Sequence, residues 1–277
     1  MEWLWYAGGT ALTMLVLVLL ALKMELRKQW ALPVAIAIPL PCVIAASRLV
    51  QVVPWLTPFL QISAALLLSL GISFFLLLVM FFRDPRRVPP DRPGSVVSPA
   101  DGRILYIRAL GDGQVPAAVK KGKHIPLVEF VGESLPQQGS VQIGIMMSYL
   151  DVHVNRAPIE GQIERVRRIA GGFRSLKHFE SLLTNERVFT VIRNPSCRIG
   201  IVQIASRVVR RIVPFVREGD CLRQGDRIGL IRFGSQVDLF LLDREDWFIT
   251  VRVGDYVKAG VSILATYGDR ETRRPGR

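Results

Sequence analysis

The chain has 277 residues, half of them hydrophobic, a formal net charge of +13 and a mean hydropathy of +0.31. Such an excess of Lys and Arg asks for an acidic partner; with long apolar runs near the start and no recognisable nucleic-acid-binding motif, that partner is an anionic membrane surface and not a nucleic acid. Three scattered cysteines, Cys42, Cys197 and Cys221, give neither a disulfide framework nor a metal-ligand spacing, which fits a reducing compartment.

Residues 1–82 hold the apolar runs and are predicted as a membrane region of about three transmembrane helices, near 3–22, 30–47 and 55–82. The first run is uncharged and long enough to cross the hydrocarbon core, and no Lys or Arg precedes it, so it reads as a retained anchor and not a secretory signal. Pro33, Pro39 and Pro41 weaken the second run, because each removes a backbone donor. The third carries Trp55 and the Phe81-Phe82 pair near its ends, as interfacial anchors would. Lys23, Arg27 and Lys28 fall in the first connector, Arg48 alone in the second, and Arg83, Arg86, Arg87 and Arg92 after the third. Three spans put all but Arg48 on one side, which the positive-inside rule makes the cytoplasm, at the inner face of the cell membrane.

Residues 83–95, rich in Pro and Arg, predict an extended juxtamembrane linker along the headgroups. The domain that follows, 96–277, reads as mainly β (α+β): strand-like stretches at 96–97, 104–107, 127–131, 141–147, 188–192, 199–204 and 208–213 are separated by Gly and Pro turns. The one helix candidate is 173–186, where Leu176, Phe179, Leu182 and Leu183 share a face. Val216-Arg217-Glu218-Gly219-Asp220 returns 35 positions later as Val251-Arg252-Val253-Gly254-Asp255. Two copies are too few for a solenoid but predict duplicated hairpins in a pseudo-symmetric sandwich. The pattern resembles the lipoyl and biotinyl carrier fold, a barrel-sandwich hybrid.

Gly234-Ser235 stands between two apolar β stretches. Such a step is most often only a turn. The chemical reading is that glycine, lacking Cβ, leaves its carbonyl open to the next residue's hydroxyl. A serine nucleophile needs a base, and the chain offers His124, His153 and His178. His153 stands at a loop mouth after the 141–147 strand; His178 is on the helix candidate and His124 lies among Lys120, Lys121 and Lys123. An orienting carboxylate could come from Asp101, whose alternative reading is an Asp-Gly turn, or from Asp151, Asp238 or Asp243.

Arg232 to Asp238, taken with Ser98-Pro99-Ala100-Asp101-Gly102 and Asp151 to Pro158, is similar to the phosphatidylserine decarboxylase family, and more narrowly to its short prokaryotic branch. The resemblance implies self-cleavage between Gly234 and Ser235 into a larger β chain, 1–234, and a smaller α chain, 235–277, which stay together as a heterodimer, a dimer of such pairs being allowed. It implies that Ser235 becomes a covalent pyruvoyl cofactor, with His153 and Asp101 as catalytic residues and no metal. The ketone would condense with the amine of a serine headgroup and accept the electrons left by CO2, converting phosphatidylserine to phosphatidylethanolamine. Longer members carry a second histidine where this chain has Arg156, so His153 is expected to serve both self-cleavage and decarboxylation. The competing reading is a membrane-tethered carrier-like or lipid-binding module without self-cleavage, although neither hairpin copy presents a lysine for lipoylation or biotinylation. An ordinary serine hydrolase is disfavoured because no Gly-x-Ser-x-Gly elbow surrounds Ser235.

The charge asymmetry predicts that in intact cells an impermeant thiol reagent labels a cysteine engineered near residue 2 and spares one near residue 115. Labelling at 115 would overturn the three-span orientation.

Overall fold

The structure, a computed structural model, describes residues 2–23, 58–110, 114–115, 125–126, 139–171, 185–205, 212–231 and 235–268, with scattered positions between 33 and 48. The chain divides into two compact units, Met1–Arg83 with Ser148–Leu150, and Asp84–Met147 with Asp151–Arg277.

The first unit contains helix α1, Glu2–Lys23, and helix α2, Pro58–Phe81. Proline opens α2, where its missing N–H costs nothing. Ile62–Phe81, with a mean hydropathy of 2.6, is the one described helical stretch that is long and apolar enough to cross a membrane; the apolar stretch in α1 is the shorter Thr10–Leu19. Within α2 the Ser69 and Ser73 hydroxyls donate to the carbonyls of Ala65 and Ser69, at 2.8 and 2.7 Å, so both are satisfied without water. Leu67, Phe74 and Phe75 lie well exposed along the same helix. The expected span at 30–47 lies outside the described residues apart from scattered positions, so three spans are not established.

The second unit is β throughout its described residues. Its strands are β1 (Ser95–Val97), β2 (Gly102–Leu110), β3 (Gln114–Val115), β4 (Ile125–Pro126), β5 (Ser140–Met147), β6 (Val154–Arg156), β7 (Gly161–Ile169), β8 (Arg187–Arg193), β9 (Arg198–Ala205), β10 (Ile212–Pro214), β11 (Cys221–Leu222), β12 (Arg227–Ile231), β13 (Ser235–Leu242), β14 (Phe248–Ile249), β15 (Tyr256–Val257) and β16 (Ile263–Thr266). An eight-stranded sheet runs β11-β7-β8-β9-β13-β5-β2-β15, flanked by three-stranded sheets β10-β12-β6 and β1-β16-β14. The pairings are antiparallel. One face of the large sheet, with Ile143, Ile145, Ile199, Ile201, Val237, Leu239 and Leu241, joins Ile228 and Ile231 of the β12 sheet and Val96, Leu264 and Ala265 of the β1 sheet in the core. Gln236, Asp238 and Phe240 occupy the opposite face and are buried as well, which is why the 236–242 sequence shows no clean alternation.

The sheet reads the same from either end about the β9–β13 junction, and the duplicated hairpins occupy equivalent places. Gly219 and Gly254 donate to the carbonyls of Ile163 and Ile104, both at 2.8 Å, while Ile163 and Ile104 donate back to Asp220 and Asp255 at 2.8 and 2.9 Å. The Asp220 and Asp255 carboxylates accept the Arg217 and Arg252 N–H groups, each at 2.8 Å. Gly219 and Gly254 turn at φ +92° and +95°, a region that glycine enters without a Cβ penalty. Each hairpin caps a bulged strand, with register shifts between Ile163 and Arg165 in β7 and between Ile104 and Tyr106 in β2.

The structure adds one strand to those expected. β7 was not foreseen: its apolar residues, Ile163, Val166 and Ile169, are three apart because of the bulge, so two-residue alternation is broken. The helix expected at 173–186 lies outside the described residues except at its end, where Asn185 and Glu186 are not helical and lead into β8, with Ala205 N–H bonded to the Glu186 carbonyl at 3.0 Å. The strand stretch 127–131 also lies outside, and that at 208–213 is described only from Ile212, as β10.

Gly144 in β5 lets the Tyr106 ring lie flat across the sheet, because a Cβ there would come within 2.4 Å of the ring. Gly144→Ala should lower stability by about 1–3 kcal/mol through overpacking, seen as a lower urea midpoint of the full chain in detergent. An unchanged midpoint would contradict this packing.

Candidate active site

Ser235 is the first residue of β13, held on both sides: it is in register with Met147 of β5 and Ala205 of β9. At this end of the sheet Arg103, Met146, Gln236 and Ile204 lie side by side on β2, β5, β13 and β9. The start of β2, with Asp101 just before it, is therefore two strand spacings from β13, about 10 Å. Residues 232–234, including Gly234, lie outside the described residues, as do His124 and His178. On the upstream side, β12 ends at Ile231, whose N–H donates to the His153 carbonyl at 3.2 Å. Topology thus gathers the end of β12, the start of β13, the end of β5 and His153 at one corner.

His153 is fully buried, and its Nδ1 is 2.8 Å from the Asp151 carbonyl oxygen. A carbonyl can only accept, so Nδ1 carries hydrogen and Nε2 is the basic nitrogen of the neutral ring. The Asp151 carboxylate accepts the Tyr256 hydroxyl at 2.8 Å. Asp101, also buried, is engaged by both terminal nitrogens of Arg87, with Nη2–Oδ2 at 2.7 Å, and accepts the Ala259 N–H at 2.7 Å. The chain at 97–99 runs antiparallel to 156–158, through Val97 N–H to Pro158 O and Arg156 N–H to Pro99 O, both 2.9 Å.

Arg156 is an anchor: it bonds Asp84 at 2.6 Å, Gly225 O at 2.9 Å and Pro85 O at 3.2 Å. Asp84 also pairs with Arg227 at 2.5 Å. Asp243, with φ +62°, pairs with Arg198 at the far end of β13. Cys197 is buried, which pushes its thiol up to about 11 and makes it a poor nucleophile; Cys221 is exposed.

Sequence reasoning did not foresee a polar cluster on the second face of the sheet. The Asp238 carboxylate accepts Tyr106 Oη, Gln142 Nε2 and Gln236 Nε2, each at 2.8 Å, and Gln236 Nε2 also lies 2.8 Å from Tyr106 Oη. Arg108 stacks over the Tyr106 ring at 4.3 Å. Burial drives the Asp238 carboxyl up from 3.8 to about 6 despite these three donors, and burial with the adjacent charge drives the Tyr106 phenol well above its ordinary range. On the core face Gln203 donates to Asn155 at 2.7 Å. Only the polar letters inside apolar strands, Gln142, Gln203, Gln236 and Asp238, could have signalled these pairs.

The phosphatidylserine decarboxylase family profile matches residues 74–265. The chain is 36% identical over 226 residues to a phosphatidylserine decarboxylase proenzyme of Xanthobacter autotrophicus, covering 78% of this chain and 89% of the relative. It is 38% identical over 232 residues to a phosphatidylserine decarboxylase proenzyme of Azorhizobium caulinodans, with coverage of 78% and 89%. A proenzyme of Methanocaldococcus jannaschii provisionally named archaetidylserine decarboxylase is 40% identical over 195 residues, 70% of this chain and 91% of the relative.

Because folding raises the Asp238 carboxyl from 3.8 to about 6, the folded chain binds this proton more tightly than the unfolded one, and stability falls as pH rises through that window. The expected loss from this group is about 2–3 kcal/mol between pH 4 and pH 6.5. Asp238→Asn should flatten that part of the urea-midpoint profile; a profile parallel to wild type would show that Asp238 does not titrate there.

Proposed function

The chain belongs to the phosphatidylserine decarboxylase family of carboxy-lyases, and on that premise we propose that it removes CO2 from the serine headgroup of a membrane phospholipid after cutting itself between Gly234 and Ser235. The observation that carries this reading is the junction: paired β12 ends at Ile231, and doubly paired β13 begins at Ser235. After such a cut residues 236–242 keep their pairing with β5 and β9.

In the self-cleavage, Ser235 Oγ attacks the Gly234 carbonyl carbon while His153 Nε2 takes the hydroxyl proton. The C–N bond to residue 235 breaks as the nitrogen is protonated, giving an ester. Abstraction of the Ser235 α-proton then expels the 1–234 carboxylate. His153 is suited to the first transfer because its Nδ1–H is committed to the Asp151 carbonyl. The charge of Asp101 favours the imidazolium that this transfer creates. Residues 235–277 remain bound to 1–234 through β13, which is hydrogen-bonded to β5 and β9 over its length.

The family's pyruvoyl group, when present on residue 235, supplies the electron sink for departure of the carboxylate. The chain around it fits such a group: Gln236, its neighbour, is buried, in register with Met146 and Ile204, and would hold the adjoining amide in place. His153 can then return a proton to the carbon that loses CO2. The relatives' names differ in the lipid and share a serine headgroup, so that headgroup is the recognised chemistry. We place the substrate in the cytoplasmic leaflet, with the domain tethered by three spans that include α2.

Ser235→Ala should remain one chain of 31.0 kDa without decarboxylase activity on phosphatidylserine in mixed micelles. Wild type should separate into 1–234 and 235–277 on denaturing mass analysis, the smaller piece lacking an N-terminal amine. His153→Ala should slow the cut by about 10²-fold or more. An uncut wild-type protein with full activity would refute the mechanism.

A further inference from the structure

We propose that Arg87, in the linker that follows α2, is a positioning residue for the site: it fixes the Asp101 carboxylate in the orientation in which Asp101 acts on His153. This inference rests on the role given to Asp101 above. Arg87 reaches Asp101 with both terminal nitrogens, and its Nη1 also donates to the Ala259 carbonyl at 2.7 Å. The side chains of Arg87 and Asp101 are only 8% and 5% exposed, so the pair is shielded from solvent screening. Burial opposes the Arg87 charge, but the bonds to Asp101 outweigh it and the guanidinium is held more firmly protonated than usual. Nη1 and the Ala259 N–H both bind Oδ1, and Nη2 alone binds Oδ2. A carboxylate has about four lone-pair positions, so the fork leaves one free, on Oδ2, at a fixed angle.

The linker is itself tied down, so Arg87 does not approach from a loose tail. Asp84 is clamped between Arg156 and Arg227, Arg156 also holds the Pro85 carbonyl, and Pro89 packs so close to Gly225 that a Cβ there would lie 2.5 Å from it. Gly260, in the equivalent turn of the second hairpin, leaves the room that the Arg156 stem fills. Residues 84–89 therefore form a strap across the two duplicated hairpins. Two ion pairs of that strap, Asp84–Arg156 and Asp84–Arg227, anchor it; the third, Arg87–Asp101, ends at the carboxylate of the site. Lysine could keep the second charge but not the two-point fork.

The test follows the self-cleavage rate of purified full-length precursor in detergent, with thermal stability measured in parallel. Arg87→Met should cut about 100-fold more slowly, in line with a small misplacement of a catalytic group. Arg87→Lys should recover part of that loss, and added ethylguanidinium should speed Arg87→Met but not wild type. Asp84→Asn, which loosens both anchoring pairs and leaves Arg87–Asp101 in place, should lower stability while cutting at near the wild-type rate. Wild-type cutting by Arg87→Met, or loss of rate that merely parallels loss of stability across all three variants, would overturn the proposal. If Asp101→Asn is uncut and Arg87→Met is normal, the positioning role alone fails. A freely cutting Asp101→Asn would remove the underlying role of Asp101 and this inference with it.

Discussion

Strand β13 carries the constraint on which the rest depends, because it is hydrogen-bonded along both edges from its first residue. Ser235 starts that ladder, so the backbone on its C-terminal side is fixed, while residues 232–234 bridge from β12 in another sheet. Cutting the bond before Ser235 touches β13 only at its first residue and leaves the pairing of residues 236–242 with β5 and β9 in place. The same bond placed two residues further on would lie inside the ladder, and cleavage there would break an inter-strand pairing. The pseudo-symmetry explains why the crossing falls where it does. β9 and β13 are the central pair and each hairpin closes one outer edge; of the three Gly-Ser steps, which open β1, β5 and β13, only the last enters the central pair.

Around this ladder the unit spends buried charge sparingly. A buried ion pair often costs in desolvation what it returns in attraction, so its presence needs a reason other than stability. Arg87–Asp101 and Arg156–Asp84 both tie the linker to the hairpins; Arg87 forks onto its carboxylate with two nitrogens, whereas Asp84 is held by one bond from Arg156 and one from Arg227. Asp238 is the contrasting case: it is buried with three neutral donors and no direct cationic partner bond, and its carboxyl accordingly stays close to protonation near pH 6. One face of β13 thus feeds the apolar core and the other a neutral-leaning polar cluster, and the two together lock its register, since a slip of one residue would exchange Asp238 with Val237 or Leu239.

Much of this was legible in the sequence. The mainly β character, the strands around 104–107, 141–147, 188–192 and 199–204, and the duplicated Gly-Asp hairpins all follow from Gly placement and apolar runs, which local chemistry controls. β7 escaped because a bulge breaks alternation, and bulges are set by the partner strand and the hairpin packed on it. At the site, Ser235 and His153 were readable as letters beside turns, but the acceptor at His153 Nδ1 is a main-chain oxygen, which no sequence letter advertises. Arg87 was read as a headgroup contact because its neighbours are Pro and Arg. Its fork on Asp101 depends on the strap lying over Gly225 and on the 98–101 turn bringing the carboxylate beneath it.

The engagement of Arg156 bears on how one histidine can suffice. A guanidinium bound to a carboxylate and two carbonyls is neither a proton donor nor an acceptor in practice, so it cannot replace the acid–base work of a second imidazole. In the proposed scheme the acyl shift takes one proton from Ser235 Oγ and delivers one to the departing nitrogen, so His153 ends that step in the state in which it began. The Ser235 α-proton taken in the elimination then charges the ring once, and that proton is released to solvent before the decarboxylation. The later proton return to carbon is a separate event, after release of CO2, and requires only that Nε2 be protonated at that moment. The Nδ1–H bond to a carbonyl is compatible with both states of the ring, neutral and charged, since Nδ1 remains a donor in each. A carboxylate at that position would instead favour the charged ring throughout, and would raise the cost of starting the first transfer from a neutral base. The main-chain acceptor therefore suits a residue that has to be base first and acid afterwards.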